Sequence, residues 1–341
     1  MPYGRPGISP DTGIVWTARA SAADNAWTAV TFGNGIFAAL SFFDAGNSIM
    51  TSPDGVNWTL RVTPGAANAW RGITFGNGIF VAVSSDLLVN SVMTSGDGVV
   101  WTLNAGAALN RWLAVTFGNG LFVAVGDNGV GNRVATSPDG VNWTLRASAA
   151  DIPWTSVTFG DGLFVAVANN GAVNNVMTSV DGINWVLRNS GTINAWNSVT
   201  FANGLFVAVA SDGAGNRVMT SPDGINWTPR ASAADNSWQS VTYGNNLFIA
   251  VATTGIGNRI MTSLNGITWT LRASAVDNNW AGVAYGVGMF VAVSLTGLGN
   301  RAMTSVERSS GGAVAKSSSG MPLRALLTSL ASQLGQRFPG A

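Results

Sequence analysis

Apolar and polar positions follow one another in short blocks that return with a fixed period. Tryptophan marks it most clearly. Trp27, Trp70, Trp112, Trp154, Trp196, Trp238 and Trp280 form one ladder, and Trp16, Trp58, Trp101, Trp143, Trp185, Trp227 and Trp269 form a second. Successive members stand 42 residues apart, with a single step of 43 in each ladder, and together they use all 14 tryptophans of the chain. A sevenfold internal repeat of this length fixes the architecture before other residues are read.

Within one repeat, Trp196 to Arg230, four short runs rich in Val, Phe, Thr and Trp are separated by Gly, Asn, Asp or Pro. Such runs read as strands and turns. Asn34-Gly35, Asn77-Gly78, Asn119-Gly120 and Asn203-Gly204 offer the positive φ that a tight hairpin needs. The second run, Leu121-Phe-Val-Ala-Val125, is apolar throughout. A strand covered on both faces produces that pattern, as when each sheet is packed between two others.

Four strands in such a repeat define a blade, and seven blades define a β-propeller. The fold class expected is therefore all-β, a seven-bladed β-propeller of four-stranded antiparallel blades. The last copy stops after Met303-Thr-Ser305, one strand short, and the missing strand lies at Ser9 to Trp16. The N-terminal strand is thus expected to complete the last blade and close the ring, which leaves no edge unpaired. The domain organisation read from the sequence is a propeller over 1–306, a Ser/Gly linker over 307–320 and a C-terminal amphipathic helical tail over 321–341. In that tail Leu323, Leu326, Leu327, Leu330, Leu334 and Phe338 fall on one helical stripe. A lone helix this short needs its stripe covered, and the linker favours pairing with copies of itself or docking on a larger particle over packing on its own propeller.

Composition narrows the chemistry. A net charge of +1 argues against nucleic acid or an anionic membrane as partner, and no apolar run is long enough to span a bilayer. The N-terminal Met1-Pro-Tyr-Gly-Arg-Pro-Gly7 does not read as a signal peptide. With no cysteine and no histidine, thiolate chemistry and histidine-based triads or metal sites drop out. No metal or cofactor is expected.

The turn before the second ladder is recurrent: Ser52-Pro-Asp54-Gly, Ser137-Pro-Asp139-Gly, Ser179-Val-Asp181-Gly and Ser221-Pro-Asp223-Gly, with Gly96 replacing proline in blade two and Asn265 replacing aspartate in blade six. These turns, and the N-terminal Ser9-Pro-Asp11-Thr-Gly13-Ile-Val-Trp16, resemble the Asp-box, or BNR, repeat of sialidase-like propellers. Only the N-terminal copy has the full S-x-D-x-G-x-x-W spacing; the internal copies are one residue shorter. The physical reading is structural: the carboxylate accepts amide protons of its own turn, glycine reverses the chain and tryptophan fills the blade beneath. Calcium ligation by the aspartates is the alternative, disfavoured because isolated boxes lack the clustered carboxylates calcium needs, and sugar stacking is the alternative for the tryptophans.

For a working sialidase the resemblance implies an arginine cluster, a tyrosine nucleophile, a glutamate that activates it and an acid/base aspartate. The chain has one glutamate, Glu307, where the last blade meets the tail, and three tyrosines. Tyr3 lies outside the repeats, and Tyr243 and Tyr285 take the place of Phe32, Phe75 and Phe117 in other blades, which marks core. The chain is expected not to be an enzyme.

Binding remains. Up-and-down blades place the Asn-Gly and Ser-Asp turns on one face and the longer loops on the other. On that longer-loop face Arg133, Arg217, Arg259 and Arg301 recur, and Asp212 and Asn216 stand beside them in blade five. A planar guanidinium beside Asn and Asp suits glycan hydroxyls or carboxylates, and equally suits shielding the blade edge by bonding a neighbour's carbonyls. Phe42, Phe43, Leu87 and Leu88 break the repeat on the same face and predict a docking patch for a protein partner. Near-identical repeats with a tethering segment are similar to bacteriophage virion propellers. That likeness implies a virion location, other structural proteins of the assembly as partners through the tail, and host-surface glycans as ligands; a free lectin is the alternative and a degenerate glycoside hydrolase the third reading.

Overall fold

The computed structural model describes residues 14–42, 46–64 and 68–307. Seven four-stranded antiparallel sheets carry the chain, and in six of them the strands follow in sequence order. Blade five is representative, with strands Trp196–Ala202, Leu205–Ala210, Val218–Ser221 and Thr228–Arg230. The seventh sheet takes Trp280–Gly286, Met289–Ser294 and Ala302–Glu307, and is completed by Ile14–Arg19. Trp16 stands opposite Ser305 and Thr17 opposite Thr304, so the expected closure by the N-terminal strand is present. The closing strand repeats the chemistry of the other outer strands. Arg19 Nε donates to Thr304 Oγ1 at 2.9 Å, as Arg61 does to Thr51 at 2.8 Å and Arg230 to Thr220 at 2.9 Å.

The first strand of each blade touches the first strand of both neighbours, from Trp70–Gly76 round to Ala26–Gly33, and so lines the axis of the ring. The second strand is buried at five of its six positions in blades two to seven, because apolar side chains on both sides meet adjoining blades. The core is consequently held between blades: Val165, Val167 and Val176 of blade four enclose Trp196, Val199 and Phe206 of blade five. The first tryptophan ladder is the wedge at each of these seams, with Trp27, Trp154, Trp196, Trp238 and Trp280 fully buried. Burying an aromatic of that size is the largest single apolar contribution that one residue offers a seam.

Every inner strand ends in a turn at positive φ. Asn34-Gly35 has φ of 47° and 77°, and Asp161-Gly162 has 48° and 75°. Blade seven departs from this chemistry, since Val287 sits at φ 43°. A β-branched side chain in the left-handed region is strained by about 1–2 kcal/mol. Val287→Asn, which restores the residue found at this place in other blades, is therefore expected to stabilise the protein by about 1 kcal/mol in urea denaturation. An unchanged or lowered midpoint would contradict that reading.

Candidate functional site

The Ser-Asp turns are closed units. Asp54 Oδ1 accepts the N–H of Val56 at 2.9 Å, the N–H of Asn57 at 2.8 Å and the hydroxyl of Ser52 at 2.9 Å, while Oδ2 accepts Asn57 Nδ2 at 2.8 Å. Trp58 Nε1 then donates to Gly55 O at 3.0 Å, tying the second ladder to the same turn. Asp139, Asp181 and Asp223 repeat the arrangement. Amide donation, first from the backbone of Asn57, Asn142, Asn184 and Asn226, holds all four carboxyls far below the usual aspartate range. In blade six Asn265 Oδ1 accepts the N–H groups of Ile267 and Thr268 at 2.9 Å, the same turn without charge.

The opposite face carries the longer loops, and their polar residues form a lattice with the connectors that join blade to blade. Arg217 donates from Nε to Gly213 O at 2.7 Å and from Nη1 to Ser211 O at 2.8 Å. Arg133, Arg259 and Arg301 make the same pair of bonds to Gly129 and Asp127, Gly255 and Thr253, and Gly297 and Leu295. The acceptors belong to the arginine's own loop rather than to a neighbouring blade. Connector aspartates stand beside these guanidiniums at 3.6–3.8 Å: Asp151, Asp235, Asp277 and Asp24. Each aspartate also accepts the N–H of a loop-tip glycine, as Asp235 does from Gly215 at 2.8 Å. Asp212 Oδ1 accepts the N–H of Ala195 at 2.6 Å, and Asn216 accepts Asn194 Nδ2 through its main-chain O at 2.9 Å. The sequence pattern Ser-Ala-Ala-Asp-Asn is thus the connector half of a loop-to-connector clasp.

Apolar side chains stand clear of this lattice. Val130, Ile256 and Leu298 occupy loop tips and are 89%, 92% and 88% exposed. The sequence reading passed over these tips because each is a single residue between two glycines. Leu87, Leu88 and Val89 are exposed in blade two, and Val62 and Leu109 are exposed in the connectors on either side of it. Phe42 lies half-buried at the inner end of the blade-one loop; Phe43 and the tail positions Leu323, Leu326, Leu327, Leu330, Leu334 and Phe338 lie outside the described residues.

On the axis, the first residues after each ladder tryptophan line a cavity of about 230 Å³. The position directly after the tryptophan differs in every blade but two: Thr28, Arg71, Leu113, Thr155, Asn197, Gln239 and Ala281. Three of these side chains bridge to the next blade. Thr28 Oγ1 donates to Trp70 O at 3.0 Å, Thr155 Oγ1 to Trp196 O at 2.6 Å and Asn197 Nδ2 to Trp238 O at 3.0 Å. Arg71 is the one charged residue among those lining the cavity. Its Nε is buried with no hydrogen-bond partner, and its guanidinium carbon lies 3.9 Å from the centre of the Phe42 ring. Burial lowers its pKa, Asp127 and Asp86 favour its charge, and Arg111 opposes it. Sequence reasoning missed Arg71; the signal was the most variable position of an otherwise repeating inner strand.

No group of three or more His, Cys, Asp or Glu side chains that could hold a metal occurs among the described residues, and no helix among them is long and apolar enough to cross a membrane. No family model and no curated protein matches the chain by sequence. Solved structures do. YCF48 bound to D1 peptide is 15% identical with a TM-score of 0.64, covering 85% of this chain and 96% of that one. A catalytically inactive His-to-Ala variant of virginiamycin B lyase from Staphylococcus aureus, with quinupristin, is 10% identical with a TM-score of 0.74, covering 86% and 99%. The computationally designed Ika8 protein is 13% identical with a TM-score of 0.56, covering 84% and 99%. At these identities the likeness is one of fold, and the class it defines is the seven-bladed β-propeller.

The turn chemistry sets an acid limit. A depressed carboxyl contributes stability that is complete above its unfolded value, about 4, and that drains away as pH falls below it toward the folded value. Replacing Asp139, Asp181 and Asp223 together with asparagine, on the pattern of Asn265, is expected to flatten the loss of stability below about pH 4 in urea titrations. An acid limb as steep as that of the parent protein would show that the turns are not its source.

Proposed function

We propose that the protein is a non-catalytic binding disc that receives a protein partner on the long-loop face of its first three blades. The observation that carries this is the run of exposed apolar side chains Leu87, Leu88 and Val89, flanked by Val62 and Leu109, on the face where other blades present loop tips between glycines. An exposed apolar run rimmed by polar loops is the composition of a contact surface. YCF48, which shares the fold, is a peptide binder, and this supports a peptide or protein ligand over a small molecule.

Support for a non-catalytic role comes from the same chemistry. The neighbouring lyase is inactivated by replacing a histidine, and this chain contains none. The aspartates of the Ser-Asp turns are spent on their own amides. These turns act as Asp boxes with a holding role only. Glycan recognition through Arg133, Arg217, Arg259 and Arg301 ranks second, since two donors of each guanidinium already serve the loop.

The finer part of the proposal is a tether. The apolar stripe from Leu323 to Phe338 in the sequence suits docking on a larger assembly, a bacteriophage virion in the reading favoured here. Probing an immobilised peptide array with the full-length protein and with a Leu87→Asp, Leu88→Asp double variant tests the binding face. The variant is expected to bind at least about tenfold more weakly, and equal capture by both would remove the patch from the proposal. Deleting residues 321–341 is expected to leave peptide capture intact and to abolish co-sedimentation with particles from the native source; retained co-sedimentation would dispose of the tether.

A further inference from the structure

We infer that the axial cavity is a carboxylate-recognition site, in which Arg71 receives an acidic group of the peptide partner. This rests on the binding function proposed above and specifies the chemistry of its ligand. The inner-strand position that Arg71 occupies fastens one blade to the next in three of the other six blades, through Thr28, Thr155 and Asn197. At Arg71 no such bridge forms. A buried guanidinium N–H left without an acceptor is destabilising, so the ring carries an unmet donor at this point. The contact with the Phe42 ring returns part of this, but it leaves the unmet N–H without an acceptor among the described residues.

The surroundings specify the ligand. Phe42 covers one face of the guanidinium and Nε is closed to solvent, which leaves the paired Nη groups as its polar edge. Two parallel acceptors in that plane are what a carboxylate supplies. The nearby acids are otherwise engaged: Asp127 pairs with Arg111 at 2.9 Å, and Asp86 accepts the main-chain N–H of Ala69. Among the described residues neither closes an ion pair with Arg71. The cavity, at about 230 Å³, exceeds several times the roughly 30 Å³ share of a water molecule, so it has room for a side chain or chain end. Leu113 stands beside Arg71 on its wall, and the exposed Leu87 and Leu88 belong to the loop of the same blade as Arg71. Those neighbours suit an apolar residue next to the acid. A carboxylate can reach the site as an acidic side chain, as a chain terminus or as a free small acid, and the probes below separate these sources.

The test follows the Nε–Hε resonance of Arg71 in the full-length protein, assigned by its disappearance in Arg71→Gln. Gln239 fills the equivalent position in blade six, so this variant is expected to fold with a thermal midpoint no lower than that of the parent protein. Four probes are titrated: the tripeptide amide Ac-Ala-Leu-Glu-NH2, the tripeptide acid Ac-Ala-Leu-Ala-OH, glutarate, and the neutral control Ac-Ala-Leu-Gln-NH2. At least one carboxylate peptide is expected to shift the resonance saturably, and to bind at least about tenfold more tightly than the control by calorimetry, with that advantage lost in Arg71→Gln. Equal binding by the control, undiminished carboxylate binding by Arg71→Gln, or no response at millimolar probe would overturn the inference. Peptide-array capture that survives Arg71→Gln but not the Leu87, Leu88 double variant would overturn it while leaving the binding function in place. A response to glutarate alone, with no capture of any peptide, would instead overturn the peptide source and the binding function together.

Discussion

Each blade is finished by the next one, and the contact that finishes it is an aromatic ring laid on a glycine. Gly33 closes the inner strand of blade one, and a Cβ added there would stand 2.1 Å from Phe75 Cγ of blade two. The same clash distance, 2.0–2.3 Å, recurs for Gly76 against Phe117, Gly118 against Phe159, Gly160 against Phe201, Gly244 against Tyr285 and Gly286 against Phe32. The last of these joins blade seven to blade one, so the seam runs through the closure as through the interior. Ala202 takes the glycine's place in blade five and shares a core cluster with Tyr243. The ring then meets the aromatic of its own second strand, as Phe32 meets Phe37 with centroids 4.8 Å apart. Tight apposition of this kind leaves blades little freedom to slide, because close-packed interiors respond to added atoms by shifting whole elements.

Much of this was legible in the residues. The tryptophan ladders gave the number of blades, the Asn-Gly pairs gave the inner hairpins, and the short last copy pointed to a closing strand near Trp16. These features recur seven times, and repetition turns a weak local preference into a firm reading. Tyr243 and Tyr285 stand where phenylalanine stands in other blades, ring to ring with Phe248 and Phe290 at 4.7 and 4.8 Å. What repetition could not reveal was any residue whose meaning lies in departing from it. Arg71 occurs once, and its place on the axis follows only when seven strands are brought together. The direction taken by Arg217 and its counterparts was equally hidden, because a loop's own carbonyls and a neighbour's are indistinguishable in sequence.

Symmetry and the departures from it occupy different parts of the molecule. The Ser-Asp turns and the loop clasps are nearly the same in each blade that has them, and both consume their polar groups locally. Departures concentrate in the first three blades: Phe42 against Arg71, the exposed Leu87 to Val89, and the ion pair of Arg111 with Asp127. Among the described residues, fastenings across the axis are made at Thr28, Thr155 and Asn197 and are absent at Arg71, Leu113, Gln239 and Ala281. A scaffold assembled from interchangeable units can give up such contacts at some positions while the remaining seams hold the disc.

The bond between Arg19 and Thr304 joins residues 285 positions apart. Its counterparts within single blades span 10 positions. On the ribosome, where the chain emerges from its N-terminal end, the closing strand is therefore made first and matched last. The six intact blades can form their sheets in turn as they appear, whereas the strand around Trp16 must wait for nearly the whole domain before it finds its place. Handling of the nascent chain, rather than the strength of any one sheet, thus falls on a single early segment that stays available to other partners until the last blade has been made.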